Sequence, residues 1–291
     1  MLNVARKNEV VVGFVEASKR WAGCLGVFVL SILLTGCGID VQKEGTQDVA
    51  IEARGLGSVS ANFLQAQPYQ ELLIEISAVS GRAPSQVALS HLETFLESKL
   101  NKPRGVHIVV NEPIPATGRE RHSIEQIREL ERQHRKYYSN DSLLTVFYLF
   151  PDGFSVDDEI GLESRLTLAV AHQATSVVVF ADALRLRAVT AEQDSPDTLL
   201  TYQLLEKFAL THEFGHLLGL VNLGLPMVDG HLHSGEIYSG GPAVPHHHCH
   251  NPRCLMYYRI DEDTLVERLG NVEVPDLDDF CMNDLRAAGG R

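Results

Sequence analysis

"FALTHEFGHLLGLVNLGLPM", residues 208–227, decides how the rest of the chain is read. It carries His212, Glu213 and His216 in the order H-E-x-x-H, within a run from about residue 198 to 220 that is rich in helix formers. Leu204, Leu205, Phe208 and Leu217 give that run an apolar face, and Asp197 or Thr198 stands where a helix cap is needed. Residues four apart share one side of a helix, so both imidazoles can reach a single zinc ion from the same direction. Glu213 then lies beside the ion, in place to act as general base toward a water that the metal acidifies, and later as acid toward a leaving amine.

The stretch that answers this helix lies downstream, in "PHHHCHNPRCLMYY", residues 245–258. From about residue 210 to 285 the chain resembles the archaemetzincin family. After the zinc helix, that family's pattern has a histidine next to a cysteine, four residues, a cysteine, one residue and a methionine. Here these are His248, Cys249, Cys254 and Met256. The resemblance implies a zinc metallopeptidase of metzincin type in which His248 is the third zinc ligand and Met256 forms the apolar floor of a Met-turn. It further implies that Tyr257 or Tyr258 is available to hydrogen-bond a tetrahedral intermediate.

Two departures accompany the resemblance. Metzincins bring in their third histidine just past the glycine that stands here as Gly219, but that position is Asn222, and His248 follows only after an insertion covering about residues 220–247. The closure cost of a loop grows slowly with its length, so a displaced ligand is compatible with the same site. The family's C-x-x-C end is also missing: "CMND" supplies Cys281 and then Asp284. Cys249, Cys254, Cys281 and Asp284 as ligands of a second zinc therefore stand beside a Cys249–Cys254 disulfide as alternatives. His246, His247 and His250 read as exposed neighbours of the ligand, and His231 and His233 as loop histidines of the insertion. An acidic third ligand, Glu236 or Asp229, has no recognisable spacing from His216.

With 291 residues and 44% apolar content, the chain is long enough for one sizeable core. Its formal charge of -13, without clustered Lys and Arg, excludes a general nucleic-acid surface. Near the start, Lys19 and Arg20 precede "WAGCLGVFVLSILLTG" and Cys37. This is the order of an export signal, and "LTGC" resembles the bacterial lipobox, in which the cysteine is lipidated. Cys24 falls within the signal and Cys37 goes to lipid, leaving Cys249, Cys254 and Cys281. The expected organisation is a signal peptide over 1–36, the lipidated Cys37 with a flexible tether to residue 67, and a peptidase domain over 68–291.

Within that domain, "YQELLIEISAVSG", "GVHIVV" and "LLTVFYLF" read as strands separated by helices, one opening at Pro84 and Ser85 and a charged one over 122–138. Leu166–His172 and Ser176–Phe180 are two further strands, joined so closely that they must be antiparallel, whereas helix-linked strands should be parallel. No internal repeat is found. The expected fold is α/β (α+β): a mixed sheet with one antiparallel edge strand, helices, and an active-site helix followed by an irregular C-terminal subdomain. The expected function is hydrolysis of a peptide or protein substrate by a lipoprotein anchored in a membrane, at the outer membrane or cell surface. The alternative is a metal-binding lipoprotein that kept the fold and lost turnover; the retained Glu213 argues against it.

Overall fold

The computed structural model describes residues 50–158, 166–196, 198, 200–234, 247–260 and 273–291. The export signal, the lipobox with Cys37, and His246 and Glu236 lie outside the described residues.

Five strands form the main sheet: β1 (Glu71–Ala78), β2 (Val106–Val110), β4 (Leu143–Phe150), β6 (Ala169–Gln173) and β7 (Ser176–Val179). Two-residue strands β3 (Arg121–His122) and β5 (Phe154–Ser155) pair separately. The helices are α1 (Ser60–Leu64), α2 (Gln86–Lys99), α3 (Ile124–His134), α4 (Ala181–Asp194), α5 (Tyr202–Leu217) and α6 (Asp279–Ala287). Strand order is β2-β1-β4-β7-β6. The β1–β2, β1–β4 and β4–β7 pairs are parallel and β6 runs antiparallel to β7, as the connection lengths require. Strands β1 and β4 are buried along nearly their whole length, which is why they read as continuous apolar runs instead of alternating ones.

Successive side chains of β4 point to opposite faces, and each face has its own partner. The Tyr148 hydroxyl donates to the Leu210 carbonyl of α5 at 2.8 Å. On the other face, the Arg135 guanidinium at the end of α3 donates to the Thr145 hydroxyl at 3.0 Å and lies over the Phe147 ring. The sheet is thus sandwiched, with α5 on one side and α3 on the other. Glu75, fully buried in β1, is tolerated because its carboxylate accepts hydrogen bonds from Asn111 Nδ2 and from the Lys136 and Tyr137 N–H groups.

Two expectations need correction. The flexible tether does not reach residue 67: Ile51, Val59, Phe63 and Leu64 are core residues, and the Phe63 ring meets Phe214 of α5 edge-on at 5.3 Å. The buried Lys102 ammonium, donating to the carbonyls of Asn62, Gln65 and Tyr69, fastens this segment to the loop after α2. Second, the cap of α5 is Thr201, whose hydroxyl accepts from Leu204 N–H at 3.2 Å, and not Thr198; Asp197 lies outside the described residues. The part past α5 is irregular among the described residues except for one regular helix, α6, which Asp278 caps.

Candidate metal centre

Helix α5 is buried on every side from Phe208 to Leu217, so its polar residues at 212, 213 and 216 are inside the protein. His212, His216 and His248 bring one donor atom each within 4.8 Å of the others, and all three are buried. Their rings stand 5.0–5.3 Å apart, centre to centre. His212 Nδ1–H donates to the Leu255 carbonyl at 2.7 Å, which fixes the tautomer and leaves the Nε2 lone pair free for a cation. His212 Nε2 and His216 Nδ1 are buried with no hydrogen-bond partner among the described residues. Buried polar atoms left this way are costly, and three converging imidazoles fit a zinc ion as three protein ligands.

Glycines hold the centre's surroundings together. Met256, fully buried, lies against Gly215 so closely that a Cβ there would sit 2.2 Å from the methionine sulfur. Gly219 ends the helix at φ 73°, a conformation open to glycine, and its bare Cα admits Ser60 of α1, whose Oγ would lie 2.0 Å from an added Cβ. Asn222 is exposed, also with positive φ (61°), which an asparagine side chain tolerates. It turns the chain and is not part of the histidine group.

The insertion does not simply loop away. Leu232 forms an antiparallel bridge with Cys249, His233 N–H donates to the His248 carbonyl at 2.7 Å, and His250 N–H donates to the His231 carbonyl at 2.8 Å. The two H-x-H stretches, 231–233 and 248–250, therefore pair side by side. This pairing brings His248 back to α5 from far along the chain.

Glu213 Oε2 accepts from the Ala171 N–H of β6 at 2.7 Å, while Oε1 has no hydrogen-bond partner among the described residues. Burial pushes its carboxyl up from the ordinary 4.5 to about 8, against the smaller lowering effect of the Ala171 bond. Burial likewise drives His212 down to about 4 and His216 well below its ordinary 6.5. The signs oppose one another in the metal-free protein. Glu213 contributes stability that is full below about 4.5 and lost as pH rises through about 8, whereas the stabilising effect of neutral His212 is full above 6.5 and lost as pH falls through about 4. Under chelation, Glu213→Gln should therefore melt progressively higher than the parent as pH is raised across that first window. Parallel melting curves at every pH would show that Glu213 is not a buried acid.

A second group stands behind the first. Cys249, Cys254, Cys281 and Asp278 also place their donor atoms within 4.8 Å of one another, and the three thiols are free and buried. No disulfide joins Cys249 and Cys254. Asp278, not Asp284, is the carboxylate in this group: its position at the N-cap of α6 points it at Cys249 Sγ, 3.4 Å away. Asp284 is turned toward the insertion, where its Oδ1 accepts from the Val228 N–H at 2.6 Å. The sequence offered no spacing by which Asp278 could be found. Tyr257 and Tyr258 lie against each other with tilted rings near His233, the Tyr258 ring 4.8 Å from that imidazole. Asp229 is exposed on the insertion and does not join the histidine group.

Neither the family models nor the curated proteins include a match to this chain. Among solved structures, archaemetzincin from Methanopyrus kandleri is similar, at 16% identity and a TM-score of 0.43, over 75% of this chain and 96% of that one. A likeness this distant adds nothing to the geometry above.

Proposed function

We propose that the protein is a zinc-dependent metallopeptidase of metzincin type, with His212, His216 and His248 holding the catalytic zinc and Glu213 as general base. The observation that carries the reading is the buried three-histidine group with a carboxylate at its side, one oxygen of which has no hydrogen-bond partner among the described residues. Bound there, zinc supplies Lewis acidity, acidifying water and polarising a carbonyl. Glu213 holds the proton taken from the attacking water and returns it to the leaving amine, its raised affinity for protons suiting both tasks near neutral pH. Ala171 N–H keeps the carboxylate aimed, and the substrate is a peptide or protein. Strand β6 is the outer strand of the main sheet and borders Glu213, so an extended peptide added along it passes the reacting groups. The cysteine group holds a second, structural zinc.

The alternative, a metal-binding protein without turnover, accounts less well for Glu213, because burying a carboxylate held by a single hydrogen bond costs free energy that pure binding does not require. Zinc content measured together with peptide hydrolysis by the purified protein separates the two: metal with no cleavage of any peptide in a diverse library supports the binding reading.

Export and anchoring belong to the same proposal and rest on the sequence "LTGC" alone. Cys37→Ser should leave the protein without acyl groups and shift it from membrane to soluble fractions, with hydrolysis unchanged. An acyl-free wild type by mass spectrometry sinks the anchoring claim.

A further inference from the structure

The cysteine group has three sulfurs, and the insertion supplies a further donor beside them. His231 is fully buried, with Nε2 at 3.5 Å from Cys281 Sγ and 3.5 Å from Asp284 Oδ2. Its Nδ1–H donates to the carbonyl of nearby Asp229 at 2.8 Å, so a neutral ring presents the Nε2 lone pair toward Cys281 Sγ. Cys254 Sγ and Cys281 Sγ are 3.6 Å apart. A tetrahedral zinc with thiolate and imidazole ligands has donor-to-donor edges of about 3.5–3.8 Å, which both separations match. The sulfurs also accept backbone N–H bonds of the kind that stabilise metal thiolates: Asn251 N–H to Cys249 Sγ at 3.4 Å, and Met256 N–H to Cys254 Sγ at 3.4 Å.

Asp278 is the competing fourth ligand, with Oδ2 3.4 Å from Cys249 Sγ, but each of its oxygens already accepts a hydrogen bond that a metal would have to share. Oδ1 caps α6 through the Cys281 N–H at 3.0 Å, and Oδ2 accepts from Asn251 Nδ2 at 2.8 Å. His231 Nε2 makes no short bond of that kind: Asp284 Oδ2 is 3.5 Å away, longer than a charge-assisted hydrogen bond, and Cys281 Sγ is equally near.

We infer that His231, carried in by the insertion, is the fourth ligand of the structural zinc, with Cys249, Cys254 and Cys281. Asp284 stands behind it as a buried carboxylate and does not bind the metal. This rests on the two-zinc reading above. It gives the insertion a purpose: the same short pairing that returns His248 to α5 seats His231 on the second metal, so both centres depend on one ladder of backbone bonds.

The test is metal content of the full chain together with the near-ultraviolet thiolate-to-cobalt charge-transfer band after cobalt substitution. Wild type should hold two zinc ions per chain. His231→Ala should hold one, with the thiolate band lost, whereas Asp278→Asn, which preserves the cap, should hold two. His231→Cys should restore two, with a band stronger by about a third as three thiolates become four; this variant decides the matter if the alanine protein fails to fold. Two zinc ions retained in His231→Ala, or an unchanged band in His231→Cys, overturns the role of His231 while the site stands. A wild type that takes up only one metal and shows no thiolate band removes the structural zinc itself.

Discussion

Glu213→Gln should retain its zinc and lose turnover by about 100-fold or more, the scale of a general base. Retention is expected because the three donors that converge are histidines and Glu213 is not among them. The fold should survive as well: a glutamine carbonyl can still accept the Ala171 N–H, so the one hydrogen bond the carboxylate makes to β6 is preserved. What disappears is the capacity to hold and return a proton. The measurement is kcat on a cleavable peptide beside zinc content by elemental analysis. Activity at the parental level would remove Glu213 from the chemistry, and joint loss of metal and activity would give it a structural task instead.

His248→Ala should have the second large effect, weakening zinc binding and abolishing hydrolysis, because two histidines on one helix do not close a catalytic zinc site. Asn222→Ala is the matched control. Asn222 is exposed on the same insertion with φ of 61°, and replacing it removes only a side chain suited to that conformation, at a cost of about 1 kcal/mol in stability and none in metal affinity. Competition with a chromophoric chelator reads both variants. Equal zinc affinities for His248→Ala and the parent, or metal loss in Asn222→Ala, would show the third ligand to be elsewhere.

The legible parts of this fold were those written in local spacing. The short link between β6 and β7 dictates an antiparallel pair, and unbroken apolar runs in β1 and β4 mark strands covered on both faces. Helix α4 was missed because it buries small or charged residues, Ala181, Ala183, Arg187 and Ala191 among them, so its apolar periodicity is faint. Residues 50–67 read as a tether because Gly55, Gly57, Gln65 and Gln67 hide four irregularly spaced core positions. At the site, His212, Glu213 and His216 were evident from one helical turn. Asp278 and His231 were not, since their partners lie far off in sequence and only the pairing of 231–233 with 248–250 and the start of α6 bring them together.

The packing of α1 on the back of α5 bears on where this protein can be cut. Ile51, Val59, Phe63 and Leu64 are each at least nine-tenths buried, and full burial of such a side chain contributes about 1.5–3 kcal/mol. Together they approach the whole stability of an ordinary domain, about 5–15 kcal/mol. A cut after Gln67 strips the Phe63 ring from Phe214 and uncovers Gly219. A unit that keeps the centre intact therefore begins no later than about residue 50.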